Sequence, residues 1–172
     1  GGTPTGTHRL HRAWRDVLGD EVKRAGCWVG RDRLRFDFSH YEAVTPEQIS
    51  EIEAIANAQT LRNEPTKSYE TSKEDAEARG AVAFFGDKYG DIVRVLEAGD
   101  TIELCGGTHV SATGDIGIVK VVSESSIGSN LRRIEAFTGA GTVALLQRDE
   151  QLIGELAGLV GTQTDDVLGG VQ

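Results

Sequence analysis

The chain has 172 residues and 18.4 kDa, with 38% hydrophobic and 26% charged residues and only three prolines, which suits one globular domain with a real core and excludes a largely disordered chain. A formal net charge of −9 argues against an autonomous nucleic-acid binder, although residues 1–40 carry a net +3 and residues 41–172 a net −12, so a basic end sits on an acidic body. That pattern fits contact with a polyanion and equally fits ordinary surface scatter. No apolar stretch approaches the roughly 18–20 residues of a membrane span, and no signal-peptide pattern opens the chain, so no membrane partner is expected. Two cysteines, Cys27 and Cys105, are too few for a disulfide framework and suit a reducing, cytoplasmic location. The absence of Met and the Gly1-Gly2 start lead to the expectation of a fragment excised from a larger parent.

In chain order, Thr3-Pro4 or Thr5 starts a first amphipathic helix in which Leu10, Ala13, Trp14, Val17 and Leu18 recur at helical spacing up to Gly19. Cys27 to Val29 and Leu34 to Phe38 read as a strand hairpin. Leu34, Phe36 and Phe38 alternate with Arg35 and Asp37, and Gly30-Arg31-Asp32 makes the turn. Thr45-Pro46-Glu47-Gln48 is a capping box with Pro at the first helical position, and it predicts a second helix that stops before Pro65. Ser72 to Arg79, closed by Gly80, reads as a short third helix. Strands are expected over Ala81 to Phe85, Ile92 to Glu97, Thr101 to Leu104, Gly117 to Val122 and Leu131 to Phe137, with turns at Ala98-Gly99-Asp100 and Ser126 to Ser129. Val143 to Val160 is a last helix whose apolar positions suit packing on a further segment. Helices come early and strands late, so the expected class is α+β, a largely antiparallel sheet packed with helices and followed by a C-terminal helical appendage.

Four residues with ligand chemistry stand out. His8 and His11 fall about 60° apart on the first helix, and Cys105-Gly106-Gly107-Thr108-His109 offers a thiol and an imidazole within five residues of a loop that its glycines let turn tightly. Imidazole and thiolate together suit Zn²⁺, and three protein ligands with an open fourth place give a site of hydrolytic character. The same residues also read as a buried free thiol with two surface histidines, or as a Cys105 nucleophile with His109 as its base. His40, where a strand ends, reads as an exposed turn residue.

Thr7-His8-Arg9-Leu10-His11, Arg33 to Phe38, Gly86 to Asp91, Glu103 to Val110 and Arg132 to Ala136 together resemble, in order and over nearly the whole chain, the editing domain of alanyl-tRNA synthetase, within the threonyl and alanyl second additional domain family. The resemblance implies hydrolysis of the ester joining Ser or Gly to the acceptor end of tRNA(Ala), in cis to the other domains of a parent synthetase. It implies an editing domain over residues 1–141, with residues 142–172 leading to the parent's C-terminal region. It also implies a zinc site held by His8, Cys105 and His109, catalytic roles for Cys105 and Thr7, and Thr7, Arg24 and Cys27 near the amino-acid pocket. Arg132 and Arg133 are implied to meet tRNA phosphate or the terminal adenosine.

The family's first motif is His-x-x-x-His, and Pro4 stands where its first histidine falls, so the ligand set is one short unless His11 or Cys27 supplies the missing donor. Arg24, Cys27 and Trp28 also depart from the family's Gln, Ser or Thr, and Leu, which reshapes the pocket. An impaired tRNA-positioning module and a free-standing deacylase are the rival readings.

Overall fold

The computed structural model describes residues 4–81, 90–99, 101–105, 107 and 109–171, with side chains described for residue 8 and from residue 10 onward. The expected strand beyond Ala81 and the string from Gly86 to Tyr89 lie outside these residues.

Helix α1 spans Pro4–Leu18. Proline is tolerated at its start because the first N–H groups of a helix have no intrahelical partner. Leu10, Ala13 and Trp14 recur at i, i+3 and i+4 and are completely buried. Strands β1 (Arg24–Val29) and β2 (Arg33–Ser39) form the expected hairpin, closed by the Gly30 N–H donating to the Arg33 carbonyl at 2.8 Å. Helix α2 (Pro46–Leu61) begins with both halves of the capping box in place: the Gln48 N–H donates to Thr45 Oγ1 at 3.2 Å and the Thr45 N–H to Gln48 Oε1 at 2.9 Å.

Two antiparallel sheets follow from the remaining strands, which refines the expectation of a single one. β6 (Val119–Gly128) and β7 (Leu131–Thr138) join the hairpin in a four-stranded sheet ordered β1-β2-β7-β6. β3 (Thr66–Ser72), β4 (Ile92–Ala98) and β5 (Thr101–Leu104) form a three-stranded sheet in that order, with the short helix α3 (Lys73–Ala78) capped by Ser72 as expected. β3 was not anticipated, and β6 continues six residues past Val122. The turn expected at Ser126 to Ser129 is displaced to Ser129-Asn130, where Asn130 adopts a left-handed φ of 55°.

One face of the larger sheet carries the main core. Phe36 and Phe38 stack at 5.7 Å between ring centroids, and Trp14 meets Phe38 edge-on at 5.3 Å. Ile52 and Ala56 of α2, Val119 and Val121 of β6, and Ile134 and Ala136 of β7 complete it. α2 also satisfies the outer strand β6: the Asn57 amide exchanges hydrogen bonds of 2.8 and 3.0 Å with the Val119 backbone, and Glu53 Oε1 accepts from the Val121 N–H at 2.6 Å. A smaller core of Ala76, Val93, Val95 and Leu104 underlies the second sheet. The two sheets are tied by the Thr66 N–H donating to the Ser111 carbonyl at 2.9 Å and by Glu64 and Thr113, which exchange bonds of 2.8 and 2.9 Å. Gly117, at φ +72°, lies so close to Gly139 that a Cβ there would come within 2.6 Å of the Gly139 Cα, so this crossing requires glycine.

Helix α4 (Ala140–Val160) leads to a 3-10 turn (Thr164–Asp166) and the short helix α5 (Val167–Gly170), the expected helical appendage. Leu146, Leu152, Ile153, Leu156 and Leu159 are exposed along α4. Among the described residues no helix is long and apolar enough to cross a membrane.

Candidate metal centre

His8 projects from α1 near its N-terminus, and the buried Leu10 and Trp14 on the same helix anchor its backbone. Its ring is only 4% exposed, and Nδ1 pairs with Oε2 of Glu103, whose side chain is 5% exposed. Cys105 stands one residue beyond β5, held there by its N–H donating to the Arg94 carbonyl of β4 at 3.0 Å. His109 completes the group, its ring centroid 5.8 Å from that of His8. One ligand atom from each of His8, Cys105 and His109 lies within 4.8 Å of the others. His8 and the Cys105–His109 pair, about a hundred residues apart in sequence, are thus gathered between α1 and the end of the second sheet.

The electrostatics follow from this packing. Burial pushes the His8 imidazole down, but hydrogen bonds to Cys105 and Glu103, with the charges of both, outweigh it and raise the group from its ordinary 6.5 to about 9. Burial likewise pushes the Cys105 thiol up. Hydrogen bonds from His109 and His8, the charge of His8 and the Gly107 N–H reverse that and lower it from 9.0 to about 5. In the metal-free site each group thus favours the charged form of the other, with Glu103 packed behind His8.

Two imidazoles and one thiol form a donor set suited to zinc. Donors on a tetrahedral zinc lie roughly 3.5 Å apart, so a spread of at most 4.8 Å closes with small side-chain adjustments. Glu103 behind His8 is the kind of outer carboxylate that fixes which ring nitrogen faces a metal; here Nδ1 is engaged, which leaves Nε2 for the centre. The residues fit a zinc-type ion. Period-two alternation places residues 103 and 105 on the same side of the strand, and this is the one sequence signal that points to Glu103.

The other expected site residues are distributed unevenly. Thr7 lies on α1 one residue before His8, with its side chain outside the described residues. Pro4 opens the same helix and has no donor to offer. His11 is buried against Phe36, at 5.2 Å between ring centroids, and is not a member of the cluster. Burial, with the charges of Arg24 and Arg15, lowers its imidazole from 6.5 to about 4. Arg24, at the start of β1, is half-buried near His11. Cys27 is exposed on β1 and is likewise outside the cluster. Arg132 and Arg133 are both engaged by carboxylates. Arg132 makes a two-pronged pair with Glu124 at 2.5 and 2.7 Å, and Arg133 makes one with Asp37 at 2.7 and 2.8 Å. The histidines expected at the surface are not there in two cases: His8 and His11 of α1 are both buried. His40 is half-buried at the end of β2, its ring 5.4 Å from that of Tyr41.

Residues 93–135, which include Glu103, Cys105 and His109, match the family described as Threonyl and Alanyl tRNA synthetase second additional domain. The chain carries a domain of this family. It is 49% identical over 164 residues to an alanine-tRNA ligase of Pseudomonas fluorescens, covering 94% of this chain and 19% of that relative. It is 49% identical over 162 residues to one of Polynucleobacter asymbioticus and 47% identical over 161 residues to one of Bordetella petrii, each covering 94% of this chain and 18% of the relative. The chain thus spans about a fifth of the length of the curated relatives it matches. The second additional domain match holds the loop half of the cluster.

Proposed function

We propose that the chain is the editing module of an alanyl-tRNA synthetase and hydrolyses the ester of seryl- or glycyl-tRNA(Ala) at the His8, Cys105 and His109 cluster. The observation that carries this is the convergence of those three side chains from two separate sheets' layers onto one point, within a domain whose relatives are alanine-tRNA ligases. The need is physical: a pocket that selects Ala discriminates against an added hydroxyl or a missing methyl by only roughly 10- to 200-fold, so a second hydrolytic site supplies the remainder. A zinc ion bound at the cluster would supply Lewis acidity toward the ester carbonyl or water. His8 would hold the ion through Nε2 while Glu103 fixes its ring, with Cys105 as thiolate and His109 completing the protein donors. Thr7, beside His8, would face the aminoacyl group, and Arg24 and Cys27 would border it. In this reading residues 1–141 form the editing unit, residues 142–172 lead into the rest of the synthetase, and those other domains anchor the tRNA while this one receives the acceptor end.

Pro4 favours a second reading, a positioning module with impaired hydrolysis, because among the described residues the cluster has three donors rather than four. Deacylation of seryl-tRNA(Ala) by the zinc-loaded chain separates the two. Hydrolysis that is abolished by Cys105→Ala and strengthened by Pro4→His supports the editing reading, and zinc-loaded protein without hydrolysis supports the positioning module.

A further inference from the structure

Among the described residues, His8, Cys105 and His109 are the donors gathered at the centre; His11 packs on Phe36, Cys27 is exposed on β1, and neither belongs to the group. One turn ahead of His8, on the same face of α1, stands Pro4, which carries no donor. A zinc-type ion takes four ligands, so three protein donors leave one place to be filled from outside this set. The surroundings of that place are uneven. His8 and Glu103 are almost wholly buried, whereas Cys105 and His109 are half-buried, so the cluster is closed behind His8 and meets solvent on the side of the loop. Charge is distributed just as unevenly: the charges acting on the His8 ring are those of Glu103 and Cys105. With a thiolate at Cys105 and a carboxylate at Glu103, the two positive charges of a divalent ion are already matched. A further anion would add an uncompensated negative charge to a partly dry site, and a neutral donor would not.

We propose that a metal held by His8, Cys105 and His109 takes its fourth ligand from solution, and that the buried Glu103 carboxylate makes this place selective for neutral nitrogen and oxygen donors over anions. Glu103 then has two tasks: it fixes the His8 ring by contact and sets the charge of the centre at a distance. The two are separable, because a glutamine at position 103 can still accept a hydrogen bond from Nδ1 but carries no charge. The size of the electrostatic part follows from Coulomb's law: at an effective dielectric of about 20, a unit charge roughly 6–12 Å away changes the affinity for an anion by about 10- to 100-fold. The inference rests on the metal site of the editing reading and deepens it. An aminoacyl ester offers a neutral carbonyl oxygen, and its hydrolysis leaves a carboxylate, so the same arrangement of charge favours the ester and disfavours retention of the acid.

The test uses the chain saturated with Co²⁺ near neutral pH and titrated with imidazole and, separately, with azide, while the ligand-field absorption is followed. Imidazole is expected to shift the bands saturably, and Pro4→His, which offers an imidazole of its own one turn before His8, is expected to remove that response. Glu103→Gln is expected to raise azide affinity by about 10- to 100-fold relative to imidazole affinity. Glu103→Asp, which keeps the charge, is expected to hold the ratio of the unaltered chain, so a merely structural role for position 103 is told apart from an electrostatic one. Ligand-field bands that ignore imidazole show that the chain fills the fourth place itself and overturn the proposal. An azide-to-imidazole ratio unchanged in Glu103→Gln overturns the selectivity. Absence of the thiolate-to-cobalt charge-transfer band overturns the metal site and this inference together. None of these readouts uses hydrolysis, so failure of the inference with the charge-transfer band intact leaves the editing reading standing.

Discussion

The four-stranded sheet is sealed on one face by two helices and buries Trp14, Phe36, Phe38 and Ile52, whereas the three-stranded sheet rests on Ala76, Val93, Val95 and Leu104. His8 belongs to the first assembly, Cys105 directly follows β5 of the second, His109 lies in the following loop next to Val110, which packs on the first core, and Glu103 of β5 reaches across to His8. A site built this way is only as well formed as the weaker of its two supports. α1 presents one donor, and the smaller core, through β5, decides whether Cys105 arrives at the right place.

The largest expected effect lies in the first core. Phe36→Ala removes a completely buried ring and is expected to cost about 3–5 kcal/mol, read from urea unfolding, with the whole chain losing structure together. Val95→Ala in the second core is expected to cost only about 1–3 kcal/mol and to raise amide exchange at Cys105 selectively. Equal losses from the two variants, with uniform exchange, would remove the asymmetry.

Next comes the pH dependence. His11 stays neutral in the folded chain down to about 4 but takes up a proton near 6.5 when unfolded. The unfolded state then binds more protons, so stability falls as pH drops from 6.5 to 4, by up to about 3 kcal/mol. His11→Phe should flatten that slope. His8 acts in the opposite sense in the metal-free chain: its contribution is present below 6.5 and lost as pH rises through about 9. Urea unfolding at a series of pH values, with and without the substitution, reads both limbs.

Glu103→Gln keeps the shape of the contact and removes the charge that fixes His8. A 10- to 100-fold weaker zinc affinity is expected from competition with a chromophoric chelator; an unchanged affinity would show that α1 alone orients the ring. The smallest effects are at the caps. Thr45→Ala should cost about 1 kcal/mol, and Ser72→Ala, at the end of the short α3, no more than that. Thermal melts of the two variants rank the helices they cap.

Local signals in the sequence carried much of this fold. The Thr45 and Gln48 pair, the alternation of Leu34, Phe36 and Phe38, and the Ser72 cap each act through neighbours a few residues away, and each is found where the sequence places it. β3 was missed because Thr66 to Ser72 has no apolar alternation; it is a polar outer strand whose half-buried Tyr69 is its main core contact. The β6 to β7 turn was misplaced because Ser126 to Ser129 has turn composition, while the pairing runs on until Asn130 takes the left-handed conformation. The division into two sheets, and the burial of Glu103 against a helix some ninety-five residues earlier, arise from tertiary packing that no short window contains. The metal-ligand set was legible as a motif, whereas the carboxylate behind it became visible only in three dimensions.

Titration of the metal-free chain with Co²⁺, followed by its thiolate-to-metal charge-transfer absorption, tests the convergence of the cluster most directly. One equivalent is predicted to produce the band, with His8→Ala, Cys105→Ala and His109→Ala each abolishing or severely weakening it, and His11→Phe and Cys27→Ser leaving it intact. A band that survives Cys105→Ala, or one that disappears with Cys27→Ser, contradicts the site described above.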